Sequence, residues 1–305
     1  MNQRTIIVGD IHGTVDELTD LLSVDRGVGL TKDDTLVLVG DLVDKGPVEG
    51  SVGVVRLLSS LRADGYSIIL VKGNHEEKHE RFRQAFAKAG DNVKMKHADE
   101  MKEITLLLSE QDIAFLESAV LFHQIPEHNA LVVHAGILPS MKALPTPEEM
   151  EAMSKGEISK LSRILRLRYV RGKALTKMTV EFDLDFEPVW DEGTEIDAED
   201  IGRATGKIVK KVVRPKGDFL ALGQNGPDDP YWAQVYDGRL GHVYFGHEPF
   251  HEESSPMEFE HATGLDLGAV FGNRLAAVVL TGNLKAYVSV PAHKQYADKL
   301  NLNEE

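Results

Sequence analysis

A chain of 305 residues that is 42% hydrophobic has ample material for a large buried core, and α/β chains of this length commonly form one domain. It contains no cysteine, which excludes disulfides and thiolate ligands; a bound metal must rest on His, Asp, Glu or Asn, donors that suit Mn, Fe, Zn, Co or Mg. The formal charge of -15 argues against broad nucleic-acid binding, and the opening MNQRTIIVGD shows neither a leader nor a membrane-spanning run, so a cytoplasmic location is expected and no membrane partner.

In chain order, short apolar β-branched runs read as strands at Thr5–Val8, Thr35–Val39, Ser67–Val71, Ala130–Val133 and His242–Phe245. Helix-period stripes fall between the early ones: Val15, Leu18, Leu21 and Leu22, then Val52, Val55, Leu58 and Leu61. Strand, helix, strand predicts βαβ units and a sheet with helices on its faces. Ser109 with Asp112 three residues later predicts a capping box opening a helix. Leu275–Leu280 and Leu284–Val290 flank Thr281-Gly282-Asn283, a predicted hairpin, so the sheet system is expected to be mixed. Residues 1–290 read as one domain, with a loop-like or cap-like insertion over about 139–226 and a polar tail over 291–305. Basic residues gather at Lys155, Lys160, Arg163, Arg166, Arg168, Arg171, Lys173 and Lys177, and again at Lys207, Lys210, Lys211, Arg214 and Lys216. The plain reading of both groups is a solvated face.

Five short motifs stand at the carboxyl ends of predicted strands. They are Gly9-Asp10-Ile11-His12-Gly13, Gly40-Asp41-Leu42-Val43-Asp44-Lys45-Gly46, Gly73-Asn74-His75-Glu76, His134-Ala135-Gly136 and Gly246-His247. Open α/β sheets place ligands in the crevice outside those ends, so distant parts of the chain can converge there. Asp10 and His12 are two apart and project to one side of extended backbone, where they can grip one ion. Asp41 has two oxygens and can bridge two ions; Asn74, His134 and His247 can complete the shell of the second. Two divalent cations about 3.5–4 Å apart can share an acidified hydroxide aimed at phosphorus. His75 is then left over as a general acid for the departing oxygen, with Asp44 as the partner that orients it. Each motif alone is also a polar turn, and each histidine alone a core histidine; together, in this order, they point to a dinuclear site.

The ordered set GDIHG, GDLVDKG, GNHE, HAG and GH resembles the calcineurin-like metallophosphoesterases of the phosphoprotein phosphatase superfamily. That resemblance implies a four-layer α/β/β/α sandwich of two mixed sheets and a dinuclear centre, most readily of manganese. It assigns Asp10 and His12 to the first ion, Asp41 to the bridge, Asn74, His134 and His247 to the second, and His75 with Asp44 to the acid dyad. The superfamily's protein phosphatases usually carry Arg where this chain has Lys45, and an Arg clamps phosphate bidentately while a Lys is a point charge. The His-Ala-Gly form, the segment Trp232 to His247 and Gly264-Leu265-Asp266-Leu267-Gly268-Ala269 are similar to the bis(nucleosyl)-tetraphosphatase (ApaH-like) branch. A family arginine falls between the last two motifs; Arg168 is the better match and Arg171 the fallback. The expected activity is hydrolysis of nucleoside polyphosphates, capped 5′ ends or polyphosphate, with a phosphorylated small molecule as partner.

Three other readings compete. A Ser/Thr or dual-specificity protein phosphatase would use the same centre on a phosphoprotein. A dead scaffold that binds phosphoproteins would be expected to have lost a ligand, and none is missing. Finally, His75-Glu76-Glu77-Lys78-His79 satisfies the zinc-protease pattern H-E-x-x-H, but that reading leaves Asp10, His12, Asp41 and His247 without a role. On the phosphatase reading Glu76 and Glu77 are first-turn acids favoured by a helix dipole and His79 is a surface histidine.

Overall fold

The computed structural model describes residues 3–171, 219–220, 224–227 and 229–298. Among the described residues, ten strands form two five-stranded sheets. The first has β1 (Arg4–Val8), β2 (Thr35–Leu38) and β3 (Ser67–Leu70) in parallel, with β9 (Arg274–Thr281) antiparallel beside β1 and β10 (Leu284–Pro291) antiparallel to β9 at the edge. The second has β5 (Ala130–Val133), β6 (His242–Phe245) and β8 (Ala262–Gly264) in parallel, flanked antiparallel by β4 (Phe122–Ile125) and β7 (Met257–Glu258). Both sheets are mixed, as the terminal hairpin predicted for the first.

Alternation along the strands divides the interior into three cores. Ile6, Val8, Leu36, Leu38, Ile68 and Leu70 pack outward under α1 (Val15–Leu22), α2 (Val48–Ala63) and α5 (Glu110–Glu117). Ile7, Val37, Val39 and Val71 point the other way and meet Ala130, Val132 and Tyr244, which sandwiches one core between the sheets. Leu131, Val133, Val243 and Phe245 face a third core built with Leu161, Ile164, Leu165, Leu167 and Trp232. This is the four-layer α/β/β/α arrangement.

Strand limits differ from the expected ones by a residue, while β4, β7 and β8 were not foreseen. They are two to four residues long, and β4 and β7 lie at sheet edges, where the apolar signal is weak. Within 139–226, helices α6 (Pro147–Ala152) and α7 (Lys155–Leu161) open the segment, and Leu161 to Val170 line the third core rather than a loop. Lys173, Lys177, Lys207, Lys210, Lys211, Arg214, Lys216 and the end of the expected tail lie outside the described residues. Before that end, the chain after Pro291 is anchored. The buried carboxylate of Glu17 accepts the His293 N–H and the Tyr296 hydroxyl, and the Tyr296 and Ala297 N–H groups donate to the Val270 carbonyl.

Candidate metal centre

The parallel strands of both sheets end at one place. β1 runs into Asp10 and His12, β2 into Asp41, β3 into α3 (Asn74–Ala89) with Asn74 and His75 in its first turn, β5 into His134 and β6 into His247. All seven side chains are buried. His134 Nε2 lies 2.8 Å and His247 Nδ1 2.9 Å from Asn74 Oδ1, and the His247 N–H donates to Asp10 Oδ2 at 2.9 Å. Three imidazoles point Nε2 at one oxygen, Asp41 Oδ2: His134 at 3.4 Å, His12 at 3.5 Å and His75 at 3.9 Å. Ligand atoms of His12, Asp41 and His75, and separately of Asp41, His134 and His247, lie within 4.8 Å of one another. Asp41 belongs to both groups, as a bridging residue must.

The backbone is bent hard to achieve this. Seven non-glycine residues among those described have positive φ, and five of them are His12, Asp41, Asp44, Lys45 and His247. Such conformations cost roughly 1–3 kcal/mol each and persist only where the surroundings over-determine them. Glycines permit the close approach: a Cβ on Gly246 would collide with Asp10 Oδ1, and one on Gly73 with Asp41 Oδ1. Glu76 fixes the bend after β2. Its carboxylate, buried, accepts the N–H groups of Asp41, Leu42 and Gly73, each at 2.8 Å. The sequence reading has Glu76 as a first-turn acid favoured by the helix dipole; in the structure it is also the clasp of the Asp41 turn.

The electrostatics are those of a site built for cations. Burial pushes the Asp41 carboxyl up, but the imidazoles of His134, His75 and His12 outweigh it and hold the group well below the carboxylate range. Burial works against a charged His134 as well, yet Asp41 and Asp10 bring it to about 9. Asp10 is driven well up by burial and by Asp266, and Asp266 itself stands near 6 for the same reason of burial. Asp41 Oδ2 and Asp10 Oδ1 are buried with no hydrogen-bond partner among the described residues. Two orphaned carboxylate oxygens, one of them facing three imidazoles, fit a pair of divalent cations, which would satisfy both at once. The outward nitrogens are already committed, His12 Nδ1 to the Val43 carbonyl at 3.0 Å and His134 Nδ1 to Val39 at 2.9 Å, which aims Nε2 inward.

Around this centre, His75 Nδ1 meets Asp44 Oδ2 at 2.9 Å, and Lys78 Nζ reaches the same oxygen at 3.1 Å. Burial raises the Asp44 carboxyl, but the bond to His75 and the charge of Lys78 overcome this and leave it far below its usual range. Lys45 lies close enough to lower His12 and His247. Arg168 is buried, with Nε 2.6 Å from Glu248 Oε2, and its charge lowers His247; Arg171, three residues on, is half-buried. Asp266 was missed as a site residue, although it follows the end of β8 as Asp10 follows β1. His79 is a correction: it is fully buried, not on the surface, and burial takes it down to about 4. It joins neither ligand group, and Glu76 is occupied by backbone, so the zinc-protease reading of His75-Glu76-Glu77-Lys78-His79 fails on both counts.

Comparison with known proteins agrees with this geometry. The family model described as calcineurin-like phosphoesterase matches residues 3–267. The bis(5′-nucleosyl)-tetraphosphatase PrpE [asymmetrical] of Bacillus subtilis is 27% identical over 288 residues, 88% of this chain and 87% of its own length. The symmetrical bis(5′-nucleosyl)-tetraphosphatase of a Janthinobacterium species is 27% identical over 300 residues, 95% of this chain and 98% of its own. A crystal structure of a candidate diadenosine tetraphosphatase superposes with a TM-score of 0.60 at 26% identity, covering 96% of this chain and 95% of the other. The chain therefore belongs to the calcineurin-like phosphoesterase family, in its bis(nucleosyl)-tetraphosphatase-like branch, and is a phosphohydrolase.

Proposed function

We propose that this enzyme hydrolyses phosphoanhydride bonds in nucleoside polyphosphates or related polyphosphorylated molecules, using two divalent cations, manganese first among them. Asp10, His12 and Asp41 would hold one ion, and Asp41, Asn74, His134 and His247 the other. A single observation carries the reading: Asp41, whose buried Oδ2 has no hydrogen-bond partner among the described residues, is shared by two groups of possible ligands, one with His12 and His75 and one with His134 and His247. Bound there, the cations would acidify water and neutralise the phosphoryl oxygens. His75 does the proton work. Asp44 holds its Nδ1, which leaves Nε2, buried and without a hydrogen-bond partner among the described residues, to donate to the departing oxygen. Lys45 and Arg168, with Arg171 as the alternative, would set the phosphoryl group in place by charge.

The names of the relatives support a dinucleoside tetraphosphate or similar anhydride over a phosphoprotein. A side-by-side turnover assay with Mn²⁺ tests this, using diadenosine tetraphosphate, polyphosphate, a phosphopeptide and p-nitrophenyl phosphate. The expected result is a higher kcat/KM on an anhydride than on the phosphopeptide. The reverse order would make the chain a protein phosphatase with the same centre.

A further inference from the structure

Beside the acid dyad is a small second hollow of about 160 Å³, lined by Asp44, Lys45, His75, Lys78, His97, Glu100 and Ala297. Sites for whole small molecules run to roughly 300–1,000 Å³, so this one is too small for a nucleoside and suits one or two phosphate groups. His75 is in its wall, so the hollow adjoins the proposed acid. Lys78 lies three residues beyond His75 on α3 and is a quarter exposed, with Nζ 3.1 Å from Asp44 Oδ2. An ammonium carries three donors, and Asp44 takes one. Lys45 adds a second cation. Glu100 faces the same hollow from α4 (Ala98–Leu107), with His97 Nδ1 4.0 Å from its Oε2, so Asp44 and Glu100 offset the formal charge of the two lysines and a phosphate would be drawn by the ammonium N–H groups of Lys78 that do not go to Asp44.

We propose that this hollow receives the leaving group, and that Lys78 makes the enzyme select substrates whose leaving group is itself a phosphate. The inference rests on His75 being the acid of the reaction proposed above. Water adds to phosphorus, the bond from phosphorus to the bridging oxygen breaks, and the proton of His75 passes to that oxygen. When the oxygen belongs to a phosphate chain, its neighbouring oxygens still carry negative charge, and Lys78 neutralises it. An alcohol leaving group offers no such charge. Lys78 is thus a specificity-determining residue, with a second and smaller role in steadying Asp44.

The test compares Mn-loaded wild-type enzyme with Lys78→Gln and Lys78→Arg on tripolyphosphate, diadenosine tetraphosphate and a phosphoserine peptide, whose leaving group is poor and uncharged. Loss of a charge-assisted contact predicts that Lys78→Gln lowers kcat/KM on the anhydrides by about 10- to 100-fold, against about 3-fold on the peptide. Lys78→Arg should restore most of the anhydride rate. In the same preparations, the Ki of pyrophosphate against p-nitrophenyl phosphate turnover should rise about 10-fold or more in Lys78→Gln. Equal losses on anhydride and peptide, or an unchanged Ki, would overturn the proposal by showing that Lys78 acts through Asp44 alone. Wild-type enzyme that cleaves the peptide and no anhydride would instead overturn the underlying reading, an outcome visible before any variant is made.

Discussion

The two sheets serve the pocket differently. Where β1, β2 and β3 end, the polar side chains are held by backbone: Glu76 clasps the N–H groups of Asp41, Leu42 and Gly73, and His12 leans on the Val43 carbonyl. At the ends of β5 and β6 they are held largely by the first sheet's side chains, since His134 and His247 both meet Asn74 and the His247 N–H meets Asp10. The first sheet is a pre-bent frame, and the second closes onto it. The proposed bridge, Asp41, and the proposed acid, His75, both belong to the frame. The second sheet adds His134 and His247, and Arg168 beside them.

Removing the proposed acid from the frame should have the largest effect. His75→Gln is expected to keep its metal content and lose on the order of 10²–10⁴ in kcat on substrates with poor leaving groups. The loss should shrink on p-nitrophenyl phosphate; an equal loss on both would remove His75 from the acid role. Next comes the clasp. Glu76→Ala strands three buried N–H groups and should cost on the order of 3 kcal/mol or more in denaturant unfolding, with weaker retention of Mn²⁺. If stability and metal retention were both untouched, the frame would not be what fixes Asp41.

The smallest effect concerns pH. His79 titrates near 4 in the folded protein, below the ordinary 6.5. The unfolded chain therefore binds the extra proton between those values, and the stability due to neutral His79 is present above about pH 6.5 and lost as pH falls toward 4. Between pH 7 and pH 5 this amounts to about 2 kcal/mol, which urea midpoints of wild type and His79→Leu at the two pH values would resolve. The same slope in both proteins would place the pH sensitivity elsewhere.

Much of this was legible in the sequence because five of the six parallel strands, all but β8, announce their own ends. An apolar run gives way to glycine and a polar residue, and period-2 alternation puts Ile7 and Val37 in one core and Ile6 and Leu36 in another. What escaped has physical reasons. The edge strands β4 and β7 are too short and polar to show a pattern. Glu76 was read by the helix dipole alone and His79 by the rule that polar helix residues face water, but α3 starts inside the site, so its first turn points at Asp41. Positions 75, 79 and 82 share one buried stripe, a spacing that would have marked His79 as interior. Asp266 was passed over because β8 is only three residues long.

Metal analysis of the Mn-loaded protein is the most direct test of the dinuclear frame. Wild-type chain should carry two ions, and Asp41→Asn, which removes the shared charge, should release both and lose activity with them. An Asp41→Asn protein that still binds two ions per chain at wild-type affinity would contradict the account.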